Sequence, residues 1–259
     1  MGDPWRIADP LSFQEPYEVL EIRPRTASIV ELWLAPHSVP LQYLPGEYVL
    51  LEDRAGAVPP RSYSIANAPH PDGLISLLVT RVPGGATSTW VHTQLRLGDQ
   101  VSVSGPYGTF VDDPATAAPA LFLAAGSGLA PIRALLQAAR VAATRRSLSL
   151  IFSARTEADV IDRERFTAWD MEHFGFRFVR TLTRGAGPPP HGWIPALLGD
   201  LYDDLAGHDV FIAGAPGFVR ACATAAGALG AARRSVHTEV FFVEPQPWTA
   251  MPLTPMQSP

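Results

Sequence analysis

Short apolar runs broken by proline and glycine fill the first 114 residues. They are "YEVLEI" (17–22), "SIVELWL" (28–34), "EYVLLE" (47–52), "RSYSIA" (61–66), "LISLLVTRV" (74–82) and "DQVSVSG" (99–105). Between them stand "PRT", "LPG", "RAGAVPP" and "PHPDG". Short strands at close spacing with such turn signals predict an antiparallel β-barrel or sandwich. One helix, "STWVHTQL" (88–95), interrupts them. After "DDPATAAP" the rhythm changes. The apolar runs "ALFLAA", "LSLIFSA", "FRFVRTL" and "HDVFIAG" alternate with "APIRALLQAARVAA", "EADVIDRERFTAWDM" (157–171), "WIPALLGDLY" and "GFVRACATAAGAL", which read as helices. That alternation predicts an α/β domain, a parallel sheet with helices on both faces. The change falls at residues 113–118 and divides the chain into a β domain at 1–114 and an α/β domain at 115–259. The tail "EPQPWTAMPLTPMQSP" is rich in proline and reads as irregular.

Composition narrows the chemistry. The chain has 259 residues, 47% hydrophobic and 17% charged, with no apolar run long enough to cross a membrane. The start, "MGDPWRIADP", lacks a basic region followed by an apolar core, which favours the cytoplasm. The one cysteine is Cys222, so this chain can build neither a four-cysteine zinc site nor an iron–sulfur cluster. His92 and His173 read as ordinary helix or loop histidines, and no set of His and carboxylates has metal-ligand spacing. All 20 basic residues are arginine, which excludes lysine Schiff bases and a phosphate-loop lysine. A net charge of −5 gives no nucleic-acid footprint. The charge is uneven: residues 1–114 hold 7 Arg against 13 Asp+Glu, residues 115–259 hold 13 Arg against 12.

Several glycine turns suit anions. "AAGSGLAP" follows an apolar strand and opens a helix. Gly126 and Gly128 let backbone N–H groups approach a phosphate, and Pro131 suits a first helical turn. "FIAGAPGFV" repeats the arrangement with Gly214, Pro216 and Gly217. In a parallel sheet both turns lie beyond the carboxyl ends of strands, where ligands bind. "VPGGATSTWV" places Gly84, Gly85 and Ser88 at the start of the helix in the β domain. Ser88 is either its N-cap or part of a second anion site. In "RSYS", Arg61 and Tyr63 share one face of a strand. A guanidinium there can hold a phosphate, the ring can lie on a flat heterocycle, and the Ser64 hydroxyl can reach a ring nitrogen.

The order of "RSYS", the glycine turn ending in Ser88, "GPYG" (105–108), "AAGSGLAP" and "AGAPG" resembles the ferredoxin–NADP reductase family. It is most similar to the reductase components of bacterial oxygenases, over residues 17–242. The resemblance implies a flavin-binding antiparallel barrel followed by a nicotinamide-nucleotide domain, passing electrons from NAD(P)H through FAD to a separate ferredoxin or oxygenase component. It implies catalytic roles for Tyr63, Ser64 and Glu239. It places FAD on Arg61, Ser62, Tyr63 and Ser64, on the backbone of Val79, Thr80 and Arg81, and on the pyrophosphate turn Gly85, Ala86, Thr87 and Ser88. Gly126, Ser127, Gly128 and Pro131 match the pyridine-nucleotide turn, joined by Gly214, Pro216 and Gly217. "VHTEVFF", with Glu239 and Phe241, matches a C-terminal segment that approaches the flavin. Arg155 and Arg184 follow successive strands and suit the 2′-phosphate of NADPH, although a third arginine of some relatives is matched by Trp193. Ala213 stands where many relatives carry a cysteine near the hydride path, which implies slower turnover. A flavin reductase that treats flavin as a diffusing substrate, and a non-catalytic redox-sensing subunit, remain open alternatives.

Overall fold

The computed structural model describes residues 14–172, 175–184 and 190–241. His173 and the proline-rich tail lie outside them. The elements in chain order are β1 (Gln14–Pro24), β2 (Ile29–Pro36), β3 (Tyr48–Asp53), β4 (Arg61–Ser64), β5 (Ile75–Thr80), α1 (Ala86–Thr93), β6 (Gln100–Tyr107), β7 (Ala120–Ala125), α2 (Leu129–Val141), β8 (Leu148–Ala154), α3 (Arg163–Met171), β9 (Phe176–Leu182), α4 (Ile194–Leu201), β10 (Asp209–Gly214), α5 (Pro216–Ala228) and β11 (Val236–Val240).

The first six strands form one antiparallel sheet in the order β4-β3-β6-β1-β2-β5. Its edges meet. Ile65 bridges Leu77, and the Ala66 N–H donates to the Ser76 carbonyl at 2.8 Å, so the sheet closes into a barrel. Tyr17, Leu32, Leu34, Val49, Leu51 and Leu77 fill the interior and are fully buried. Strand β2 is buried along most of its length because both of its faces are covered. Val30, Leu32 and Leu34 serve the barrel core, while Ile29 joins a second core shared with the other half of the chain.

The remaining strands form a parallel sheet, β11-β10-β7-β8-β9. Helices α2 and α3 cover one face through Leu135, Leu136 and Phe166. Helices α4 and α5 cover the other through Ile194, Leu198, Val219 and Cys222. The strand order reverses between β7 and β10, which makes the carboxyl ends of those two strands the switch point of the sheet.

Three local readings need correction. Helix α1 starts at Ala86 with Gly85 as its cap, so Ser88 is not the N-cap; its hydroxyl lies inside the first turn and accepts the Val82 N–H at 3.1 Å. The helix expected over 157–171 is broken. A single 3-10 turn at Glu157–Asp159 is followed by α3, and Asp162 between them has φ 55°, a left-handed conformation no helix interior tolerates. Strand β11, absent from the strand–helix alternation, pairs in parallel with β10 and forms an edge of the sheet.

Candidate active site

A cleft of about 840 Å³ lies where the barrel meets the switch edge of the parallel sheet. From the barrel it takes Arg61, Ser62, Tyr63 and Ser64 of β4, Thr80 of β5, and Gly84, Gly85, Ala86, Thr87 and Ser88 around the start of α1. From the α/β side it takes Ser127, Ala130, Glu239 and Phe241. The two sides touch directly: the Thr80 hydroxyl donates to the Ser127 hydroxyl at 2.8 Å.

Some of the polar groups in this cleft are short of partners within the protein. The Ser64 hydroxyl is buried and has no hydrogen-bond partner among the described residues. An orphaned buried donor of this kind destabilises a protein by roughly 1–3 kcal/mol unless something satisfies it. The Arg61 guanidinium donates to the Pro60 carbonyl at 2.9 Å and meets no carboxylate among the described residues. The N-terminus of α1 lines the cleft through Ala86, Thr87 and Ser88, and it has no side-chain cap and no acidic residue in its first turn, which leaves a helix end suited to an anion. The Thr87 hydroxyl donates to the Pro59 carbonyl at 2.5 Å and ties this turn to the entry of β4. Tyr63 packs against the barrel core while its ring lines the cleft; burial pushes its hydroxyl up to about 12, against the pull of Arg61, so it stays protonated. Burial also raises the Glu239 carboxyl above its ordinary range.

The cleft therefore offers a cation, an uncapped helix end, an aromatic face and an unsatisfied hydroxyl within a volume typical of small-molecule sites. A flavin dinucleotide fits that set: phosphates for Arg61 and α1, a ring system for Tyr63 and Ser64.

The nucleotide turn sits at the switch point. Gly126, Ser127 and Gly128 form a 3-10 turn that runs into α2. The two glycines have different reasons. Gly126 has φ 57° and open space where a side chain would be, which leaves its backbone approachable. Gly128 is a packing residue, since an added Cβ would lie 2.1 Å from the Ala213 carbonyl oxygen. Pro131 is buried in the first turn of α2. Gly214, Pro216 and Gly217 form the second turn, where the Gly214 carbonyl accepts the Phe241 N–H at 2.9 Å. Ala213 is fully buried and does not line the cleft. Arg155 and Arg184 are exposed, and the Arg184 N–H donates to the Arg155 carbonyl at 2.8 Å, so the two side chains leave neighbouring backbone. Neither forms an ion pair among the described residues. Glu157 beside them is held by Arg163 and Arg180, at 2.8 and 3.1 Å.

Twelve of the 22 sequence-predicted site residues line this cleft; the residues of the two α/β-domain glycine turns other than Ser127, together with Arg155 and Arg184, lie outside its lining, and so do two from the barrel. Val79 is fully buried and its carbonyl accepts from the His92 ring at 2.9 Å, while the exposed Arg81 lies outside the lining. Sequence reasoning missed Tyr48, Leu50, Pro59 and Ala130 of the lining. The first two carry a usable signal: Tyr48 pairs with Ser64 and Leu50 with Ser62, so period two puts them on the face of those serines.

Comparison with known proteins agrees with this geometry. Residues 24–111 match the oxidoreductase FAD-binding domain and residues 122–224 the oxidoreductase NAD-binding domain. The class is a two-domain flavin and nicotinamide-nucleotide oxidoreductase. The chain is 39% identical over 189 residues to ferredoxin–NADP reductase B of Sorangium cellulosum (strain So ce56), covering 69% of this chain and 77% of that one. It is 32% identical over 203 residues to reductase component 2 of terephthalate 1,2-dioxygenase from Comamonas sp, covering 77% of this chain. Of that oxygenase reductase it spans 60% of the length. The crystal structure of Amycolatopsis cytochrome P450 reductase GcoB superimposes with a TM-score of 0.82 at 30% identity, covering 88% of this chain and 70% of that one. This chain belongs to the ferredoxin–NADP reductase family.

Proposed function

We propose that the protein takes a hydride from NADPH, in preference to NADH, onto FAD held in the cleft, and delivers electrons to a separate ferredoxin or oxygenase component. The observation that carries this reading is a cleft lined from both sides, by the flavin-type strand β4 and by the nucleotide turn before α2. Bound FAD supplies the redox chemistry, accepting a hydride and releasing electrons singly.

The chain supplies position and electrostatics. Arg61 and the first-turn N–H groups of α1, at residues 86–88, hold the flavin phosphates. Ser64 satisfies its hydroxyl on the flavin ring, and Tyr63 lies against that ring. Gly126 and the start of α2 receive the nicotinamide dinucleotide pyrophosphate, with Gly214, Pro216 and Gly217 opposite. Arg155 and Arg184 take the 2′-phosphate. Glu239, with its carboxyl raised by burial, can hold a proton at the cleft wall. The division between the two domains lies at residues 114 and 115. No helix among the described residues is long and apolar enough to cross a membrane, and we place the protein in the cytoplasm.

The test is direct. Purified protein loaded with FAD should retain it through gel filtration, bleach on addition of NADPH, and reduce cytochrome c only when a ferredoxin is added. Loss of the flavin on the column would favour a reductase of free flavin, and retention without bleaching would favour a non-catalytic subunit.

A further inference from the structure

The nucleotide helix α2 lies against the barrel by a shared apolar core, which takes in Ile29, Ala66 and Leu78, and by a polar seam that the reaction scheme above does not use. Ser127, Arg133 and Gln137 all reach across it. Ser127 meets Thr80, and the Gln137 side-chain carbonyl accepts the Ala68 N–H at 3.0 Å. At the centre is Arg133, 1% exposed. Its Nε donates to the Ala66 carbonyl at 2.5 Å. One terminal nitrogen donates to Asp162 at 2.8 Å, and the other to Glu31 at 2.5 Å and to the Ser76 hydroxyl at 2.9 Å. Three of these four partners belong to the barrel, and two of them, Ala66 and Ser76, are bonded to each other where β4 and β5 close it. Arg25, directly after β1, reaches both carboxylates, and Arg165 adds a third contact to Asp162 at 3.0 Å. Side chains of Glu31 and Asp162 are 3% and 4% exposed.

A buried charge cluster is a poor source of stability, because desolvation of each ion offsets most of the attraction. Leucine- and phenylalanine-type packing would join two domains more strongly. What ions and their directed bonds supply is geometry: a guanidinium with four bonds in fixed directions admits one placement of its helix. The backbone around Asp162 departs from helix, at φ 55°, so that its carboxylate meets Arg133 and Arg25. Arg133 stands on the helix whose first turn is the nucleotide site, five residues after Gly128 and three after Ala130 of the cleft wall.

We propose that Arg133, fixed by Glu31 and Asp162, is a positioning residue that sets the register of the nucleotide-binding helix on the flavin barrel, and so the distance over which the hydride passes. This rests on the hydride-transfer reading given above. Displacement of reacting groups by about 1 Å can slow a reaction roughly a hundredfold. The prediction is a change in rate at saturating coenzyme with little change in flavin or coenzyme affinity.

The test pairs two readouts on the FAD-loaded full chain. Spin labels at Leu97→Cys on the barrel and Val141→Cys at the end of α2, both at exposed positions, report the distance between the two halves by pulsed electron paramagnetic resonance. The variant is Glu31→Gln with Arg133→Gln, which leaves Asp162 paired with Arg25 and Arg165. We expect a shifted or widened distance distribution. We also expect flavin reduction at saturating NADPH to slow by about tenfold or more, with the FAD Kd within about twofold of wild type. An unchanged distribution overturns the proposal, as does a shifted one with an unchanged rate, or a slower rate accounted for by FAD loss. Arg133→Lys, which keeps the charge and removes the four-bond geometry, is read the same way if the double variant does not fold. If wild type is not bleached by NADPH, the functional reading fails. The distance measurement needs no turnover and still decides whether the helix is held in register.

Discussion

Arg61 is a cation on the wall of a cleft whose guanidinium has, among the described residues, a carbonyl partner and no carboxylate, and that makes it the natural first substitution. A hydrogen bond to a charged group contributes about 1.5–3 kcal/mol, so Arg61→Ala should weaken FAD binding by roughly 10- to 150-fold with little effect on folding. Equilibrium ultrafiltration of the apoprotein with FAD measures this; an unchanged Kd would remove Arg61 from the phosphate site. Arg155 makes a separate case. Its side chain is exposed and forms no ion pair among the described residues, and it leaves the backbone beside Arg184 on the nucleotide edge. Arg155→Ala should lower kcat/KM for NADPH by roughly 10- to 100-fold, about 1.4–2.8 kcal/mol, and leave NADH turnover nearly unchanged. Equal losses with both coenzymes would show that Arg155 does not read the 2′-phosphate. These residues were legible because their chemistry is local: Arg61, Tyr63 and Ser64 sit within four positions of one strand. Ser88 was left between two readings, cap or anion site, for an equally local reason, and only the cap is excluded. Whether it caps α1 depends on where the helix begins, and a cap three residues earlier, at Gly85, makes Ser88 a first-turn side chain.

At the scale of the element, the strand–turn–helix units of the second half were readable because apolar runs and glycines mark their ends. The break before α3 was not. The sequence 157–171 carries neither proline nor glycine, and the left-handed Asp162 is held by arginines from elsewhere in the chain. Strand β11 is half exposed on a sheet edge, so it lacks the continuous apolar run of the central strands. The turn before α2 allows a contrast between two glycines that the sequence cannot separate. Gly128→Ala would drive a methyl into the Ala213 carbonyl, and overpacking of this kind costs about 1–3 kcal/mol or more. Gly126→Ala meets open space and costs only the left-handed conformation, about 1–2 kcal/mol. We expect Gly128→Ala to depress Tm more strongly. Gly126→Ala should stay folded while its methyl crowds the approach to the pyrophosphate, so that KM for NADPH rises with FAD affinity unchanged. Thermal melts of the two FAD-loaded variants, with KM for each, decide this; equal Tm losses would contradict the packing role of Gly128.

The molecule as a whole is joined by contacts that sequence patterns cannot reveal, since Arg133 and Glu31 are 102 positions apart. Their effect should appear in acid. Burial by itself would push the Asp162 carboxyl up, yet Arg133, Arg165 and Arg25 together outweigh it and hold the pKa below its ordinary 3.8. A carboxyl with a depressed folded pKa binds its proton more readily in the unfolded chain. Its contribution to stability is therefore complete above about pH 3.8 and is lost as pH falls through the lower folded value. Asp162→Asn removes that titration while keeping a residue type that tolerates the left-handed backbone. The variant should be less stable than wild type at pH 7, with Arg133 and Arg25 left short of a counter-charge. The gap should narrow steadily as the pH is lowered below that of the free carboxyl, because wild type loses the same interaction by protonation. Urea melts of both proteins from pH 7 down to the acid limit of reversible folding give the comparison. A gap of constant size across that range would mean that the Asp162 charge does not hold the two halves together.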